Sequence, residues 1–151
     1  MLTAFCDFKS AFNTACMNGE AEIVQLLIVN VNHKIFDAQK AMLSTCIKGW
    51  EEIAVLLLDN FEHTQLDICN ALIEACRHGE IDVVQAILRK IKHHNLLDIK
   101  TALNGACENH MHEDLVLWIL KNIDHEQLDL TNVRRKAVRH NWRKFNFKYQ
   151  R

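Results

Sequence analysis

A chain of 151 residues, 49% apolar and with a formal net charge of −1, has the length of one ordinary domain and enough apolar side chain for a continuous core, so a disordered segment is excluded. Its start, "MLTAFCDFKS", lacks the basic-then-apolar order of a secretory signal, and no apolar run approaches the ~18 residues of a membrane span. An intracellular, cytoplasmic chain whose six cysteines stay reduced is the expectation. The charge is unevenly placed. Residues 1–130 hold all 19 acids against 10 Lys or Arg, a net −9, whereas residues 131–151 hold 8 Lys or Arg and no acid.

In chain order, four segments repeat one pattern: "SAFNTACMNGEAEIVQLLIVNVNH" (10–33), "KAMLSTCIKGWEEIAVLLLDNFEH" (40–63), "NALIEACRHGEIDVVQAILRKIKH" (70–93) and "TALNGACENHMHEDLVLWILKNIDH" (101–125). Cys16, Cys46, Cys76 and Cys107 fall in one column, and Asp7, Asp37, Asp67, Asp98 and Asp129 in another. The register slips by one residue between His93 and Asp98 and again between Cys107 and Asp114. Each unit reads as two short helices. The Asp precedes the first, where its carboxylate can accept free backbone amides and favour the positive end of the helix dipole. Gly19, Gly49 and Gly79 then end that helix, since a residue without a Cβ takes the left-handed conformation readily. The second helix presents apolar residues at 53, 56, 57 and 58 and at 83, 84, 87 and 88. Neither helix is long enough to stand alone, so each unit must bury its face on the next. The predicted units are 7–36, 37–66, 67–97 and 98–128, followed by a basic half-repeat or cap over 129–151, all in a single domain over 1–151. In that last segment Val133 and Ala137 continue the first-helix columns, and the fifth unit is expected to begin and then degenerate.

The stretches "TALNGACENH", "ALIEACRHGEIDVVQAIL" and "GEAEIVQLLI" resemble the ankyrin repeat pattern T-P-L-H-x-A-A-x-x-G-H-x-E-I-V-x-L-L-L, over about residues 7–130. The unit is about three residues shorter than the usual 33, the chain has no proline, and the T-P-L-H element is missing. Linkers such as "NVNHKIFD" and "NIDHEQLD" are similar to a short variant found in long ankyrin arrays of large invertebrate proteins. The resemblance implies a short all-α solenoid of helix-turn-helix repeats with reduced or absent β-hairpin fingers. It further implies a non-enzymatic protein-interaction module, a monomer without cofactor, that takes a protein or peptide partner on its concave face. That face maps to the pair before each turn: Met17 and Asn18, Ile47 and Lys48, Arg77 and His78, Glu108 and Asn109. Thr14, Ser44, Glu74 and Gly105 form a neighbouring column.

Two chemical readings compete with packing. Cys76 lies beside Arg77, His78 and Glu80 in "ACRHGE", but the neighbours change in every repeat while the thiol persists. No constant base accompanies it, and free cysteine behaves as a small buried hydrophobe. The resemblance puts Cys76 where ankyrin repeats place the second of two small alanines. Cys6 and Cys69 lie off this column and have no assigned role. His33, His63, His93 and His125 also form a column, yet two imidazoles on one zinc can be no more than about 4 Å apart, so residues a repeat apart cannot share a metal. They are expected to hydrogen-bond linker backbone, with His94 and His112 merely exposed. No phosphate loop, zinc-protease signature or nucleophile elbow is present, so no catalytic residue is assigned.

The basic segment supports a second reading, a nucleic-acid or anionic-surface grip through Arg134, Arg135, Lys136, Arg139, Arg143 and Lys144. Against it, Trp142, Phe145 and Tyr149 are spaced to form one helical stripe, as a cap over Leu115, Trp118 and Ile119 would require.

Overall fold

In a computed structural model of the chain, residues 7–149 are described. They form eleven α-helices and, among the described residues, no β-strand. The helices are α1 (Phe8–Asn18), α2 (Ala21–Asn30), α3 (Ala38–Lys48), α4 (Glu51–Asn60), α5 (His63–Leu66), α6 (Ile68–His78), α7 (Ile81–Lys90), α8 (Ile99–Ala106), α9 (Glu113–Asn122), α10 (Leu130–His140) and α11 (Arg143–Tyr149). The first helices stack, α1 on α3, α3 on α6 and α6 on α8, while α2 packs on α4 and α4 on α7. This is the expected all-α solenoid. In place of β-hairpin fingers, the linkers carry single 3-10 turns at His33–Ile35, His94–Leu96 and His125–Gln127, and α5 in the second linker.

The Asp column does start the first helices. Asp7, Asp37, Asp67, Asp98 and Asp129 accept from the backbone amides of Ser10, Lys40, Asn70, Thr101 and Asn132, at 3.1, 3.1, 3.5, 3.0 and 3.3 Å. Asp98 also accepts from the Thr101 hydroxyl at 2.7 Å, and these bonds hold its carboxyl below the usual range. Because α5 runs directly into α6, Asp67 serves both ends and is itself left-handed at φ 45°. Gly19, Gly49 and Gly79 close α1, α3 and α6 at φ 80°, 79° and 76°. The fourth unit has no such glycine, so α8 stops at Ala106 and a 3-10 turn, His110–His112, absorbs the extra residue.

The core runs between the two helix layers. Leu57, Ile87 and Ile119 recur in one column and Ile53, Val83 and Leu115 in another, all buried. Burying each such side chain is worth about 1.5–3 kcal/mol, which is how helices of 7 to 11 residues persist despite their costly nucleation. In the fifth unit, expected to begin and then degenerate, α10 is followed by a second helix, α11, of seven described residues against ten in each earlier second helix, and Asn141 takes the left-handed turn position at φ 55°. Asparagine does this because its short polar side chain tolerates the left-handed region.

Candidate partner-binding face

Met17 and Asn18 end α1, Ile47 and Lys48 end α3, and Arg77 and His78 end α6. A left-handed glycine follows each pair at once, so the last turn of each helix is left uncovered. All six are exposed except half-buried Ile47. Since these helices stack in register, the pairs succeed one another at one end of the layer. Glu108 and Asn109 are also exposed but lie beyond the end of α8, in the rebuilt turn. There the Asn109 side chain accepts from the Met111 amide at 2.9 Å and starts the 3-10 segment.

The two halves of this row differ electrostatically. Arg77 is ion-paired with Glu74, and His78 Nδ1 lies 2.9 Å from the Glu74 carbonyl oxygen. Lys136 donates to Glu108 at 2.8 Å, which holds that carboxyl below its usual range. In contrast, Met17 is 50% exposed, the uncharged Asn18 is exposed, and Lys48 forms no ion pair among the described residues. The first two repeats therefore offer an open surface, whereas polar groups in the next two are partnered. The neighbouring column divides likewise. Thr14 is exposed, the half-buried Ser44 donates to the Ala41 carbonyl at 3.0 Å, and Glu74 is half-buried. Gly105, expected on the surface, is instead buried. Its site lies against Ile73 and Arg77 of α6, where a Cβ would stand about 3.7 Å from the Ile73 carbonyl oxygen and the Arg77 Cβ, an ordinary contact distance, so the position is covered by α6 and not opened by the lack of a side chain.

The Trp50 indole completes the open half. It is 38% exposed, lies over Gly19 and donates its Nε1 proton to the Met17 carbonyl at 3.2 Å. Sequence reasoning missed it, although the signal existed as a column: Glu20, Trp50, Glu80, His112 and Trp142 all follow the turn position. From the second repeat on, this residue reaches back over the preceding turn. Glu80 lies against Gly49, His112 lies against Gly79, and Trp142 donates to the His110 carbonyl at 2.7 Å.

His112, expected to be exposed, is thus half-buried. Desolvation lowers its pKa, and the neighbouring His78 and His110 push it the same way, against a hydrogen bond at Ala106 that raises it. A lowered folded-state pKa means that the unfolded chain binds the proton more readily. The stability carried by neutral His112 is therefore complete above its unfolded value of about 6.5 and is lost as pH falls below it. Thermal melts between pH 7.5 and 5.5 are expected to show the melting temperature falling with acidity, less steeply in His112→Gln; equal slopes in the two proteins would refute this.

The other histidines act as ties, with a shift in one repeat. His33 Nε2 meets the Ile28 carbonyl and His125 Nε2 the Leu120 carbonyl, both at 2.7 Å. In the third repeat His94, not His93, performs this role toward Leu88 at 2.8 Å, because the extra linker residue moves the ring one place along. The acceptors are the last carbonyls of the second helices, not the linker backbone expected from the sequence. His63 instead begins α5. No group of three or more His, Cys, Asp or Glu that could hold a metal occurs among the described residues.

Cys16, Cys46, Cys76 and Cys107 are free and buried. Burial raises all four pKa values, to about 12 for Cys16, Cys46 and Cys107 and further for Cys76. None can supply a thiolate at neutral pH, so the column is packing. Cys69 is half-buried and donates to the Leu96 carbonyl at 3.2 Å; Cys6 lies outside the described residues. Cys76→Ala is expected to lose less than about 1 kcal/mol, and native protein should react with a thiol reagent at Cys76 only on unfolding. Rapid labelling of native Cys76 would contradict the packing role.

In the basic segment, Trp142 and Phe145 are buried at 2% and 1%. They meet edge to face at 6.4 Å, and Phe145 stacks on Tyr149 at 5.2 Å. Lys144 bonds Asp114 at 2.8 Å, and the Phe145 amide donates to Glu113 at 2.9 Å, so α11 is fastened to α9. Arg135 donates to the Asn132 side chain at 2.8 Å. Arg134, Arg139 and Arg143 are exposed and form no ion pair among the described residues.

No helix among the described residues is long and apolar enough to cross a membrane. A search of curated proteins finds no significant match. A family model described as ankyrin repeats in three copies matches residues 12–99, more than half of the chain and the part whose turns, caps and core columns recur most regularly. Such repeats are generally protein–protein interaction modules and typically non-enzymatic. The chain belongs to the ankyrin repeat family.

Proposed function

We propose that this chain is a non-enzymatic interaction module that binds a protein or peptide partner across the ends of its first helices, in an intracellular setting that suits its free thiols. Met17, Ile47 and the Trp50 ring form the apolar centre of the contact, Asn18 and Lys48 its rim, and Arg77, His78, Glu108 and Asn109 its continuation. The observation that carries this reading is the open half of the row, where Met17 and Trp50 stand exposed beside unpaired Lys48. Interfaces characteristically surround such apolar and aromatic anchors with polar residues. Affinity capture with the intact chain, compared with Lys48→Glu plus Arg77→Glu, tests it. Partners retained by the parent should be lost from the double variant, and recovery of the same proteins by both would remove the assignment.

The exposed, unpaired Arg134, Arg139 and Arg143 support a second reading, contact with nucleic acid or an anionic surface through residues 134–151. It is weaker, because burial removes Trp142 and Phe145 from base stacking and Lys136 and Lys144 are engaged with Glu108 and Asp114. Binding to a single-stranded oligonucleotide whose logarithm falls linearly with log salt would favour this second reading.

A further inference from the structure

Burial along the repeat columns distinguishes the two ends of the stack. Phe12, Met42, Leu72 and Leu103 are buried, as are Cys16, Cys46, Cys76 and Cys107. The fifth members of these columns, Arg134 and Val138, are exposed, Val138 at 61%. Both columns therefore face the following repeat. The converse holds at the other end. Ile53, Val83, Leu115 and Phe145 are buried while Ile23, the first member of their column, is 44% exposed; Ala38, Ile68 and Ile99 are buried while Phe8 is 42% exposed. These columns face the preceding repeat. Leu26 adds an apolar group exposed at 62%, and Asp7, Glu20 and Glu22 are exposed acids of the same repeat.

We propose that the N-terminal face of this stack, Phe8, Ile23 and Leu26 with Glu20 and Glu22, docks on the C-terminal face of a second copy, at Arg134 and Val138. Two observations choose this occupant. The first is continuity: a head-to-tail joint places against each other the same columns that already meet between repeats. The second is charge. The N-terminal face carries acids, whereas residues 131–151 contain none and hold eight Lys or Arg.

The column of Glu22, Glu52, Asp82, Asp114 and Lys144 makes the complementarity specific, because Lys144 already bonds Asp114 at 2.8 Å across the last internal interface. Across the joint, the same column brings Glu22 beside Lys144. Arg134 stands where four repeats bury a large apolar side chain, and a guanidinium covered there requires a carboxylate, which the acidic face supplies. The joint is consequently weaker than the internal interfaces and sensitive to salt. The two faces are unlike, so the association is heterologous and open-ended. It replaces the monomer expected from the sequence and uses no residue of the partner-binding row.

Sedimentation velocity on the full chain tests the proposal at ionic strengths of about 0.05 M and 0.5 M. At low salt the mean mass should rise continuously with concentration, and high salt should return it toward one chain. Ile23→Asn with Leu26→Asn removes one face, and Arg134→Glu with Val138→Glu the other. All four positions are exposed, so both variants should keep the parent's circular dichroism and melt. Each alone should remain a monomer, but an equimolar mixture should give a dimer and nothing larger, since one good face of each kind survives. A parent that stays monomeric at low salt overturns the proposal. So does a parent that stops at a dimer, or an Arg134→Glu, Val138→Glu variant that still associates, because these would mean that like faces meet.

Discussion

Leu57→Ala is expected to lower the unfolding free energy by about 2–5 kcal/mol, the range for deleting a fully enclosed leucine. Leu57 lies on α4, between the second helices of its neighbours, with no exposed surface. Its carbonyl accepts the Phe61 amide at 3.0 Å in the last turn of α4, and α4 is held between α2 and α7, which limits how far the backbone can follow the lost side chain. The residual cavity should therefore stay open, placing the effect away from the low end. A denaturant melt checks this, and a loss under about 0.5 kcal/mol would contradict the register of the entire repeat.

The second large effect concerns the end of the stack. Trp142→Ala with Phe145→Ala removes two buried rings and the bond from the Trp142 indole to the His110 carbonyl. Either truncation alone ordinarily costs about 3–5 kcal/mol. The rings touch, so the two losses do not add. A terminal repeat also contacts only one neighbour; once its interface is lost, α10 and α11 can unfold while the rest of the stack persists. The expected result is a lower and broader melt with loss of helical signal, and increased dye binding as Leu115 and Ile119 lose cover. All eight positive charges of the segment remain, so salt-dependent binding to an anion should change little. An unaltered melt combined with lost binding to single-stranded nucleic acid would reverse the roles of these aromatics.

Much of the architecture was legible because its causes are local. An aspartate before a helix can be read as a cap from its position alone, and all five were. A glycine that must turn left is equally visible, as is a cysteine whose neighbours change while it stays. The surface was harder to read, since exposure depends on what the next repeat brings. Glu108 and Lys136 are 28 residues apart, and only the stacking of α10 near α8 pairs them. Gly105 was misplaced because burial in its column rises along the stack, from exposed Thr14 through half-buried Ser44 and Glu74, and Ile73 and Arg77 of α6 cover the fourth member. His94 took the place of His93 because one extra linker residue shifts the ring relative to the helix-end carbonyl.

By itself, then, the sequence determined the repeat, its caps, its turns and its core columns, since each follows from backbone preference or from burial repeated at a fixed spacing. Only the tertiary structure decided which charges in the candidate face are already spent on neighbours, that the fifth unit closes on Asn141, and that the two ends of the stack differ. Those properties depend on distances between residues about thirty positions apart, and such distances are set by the close packing of adjacent helices.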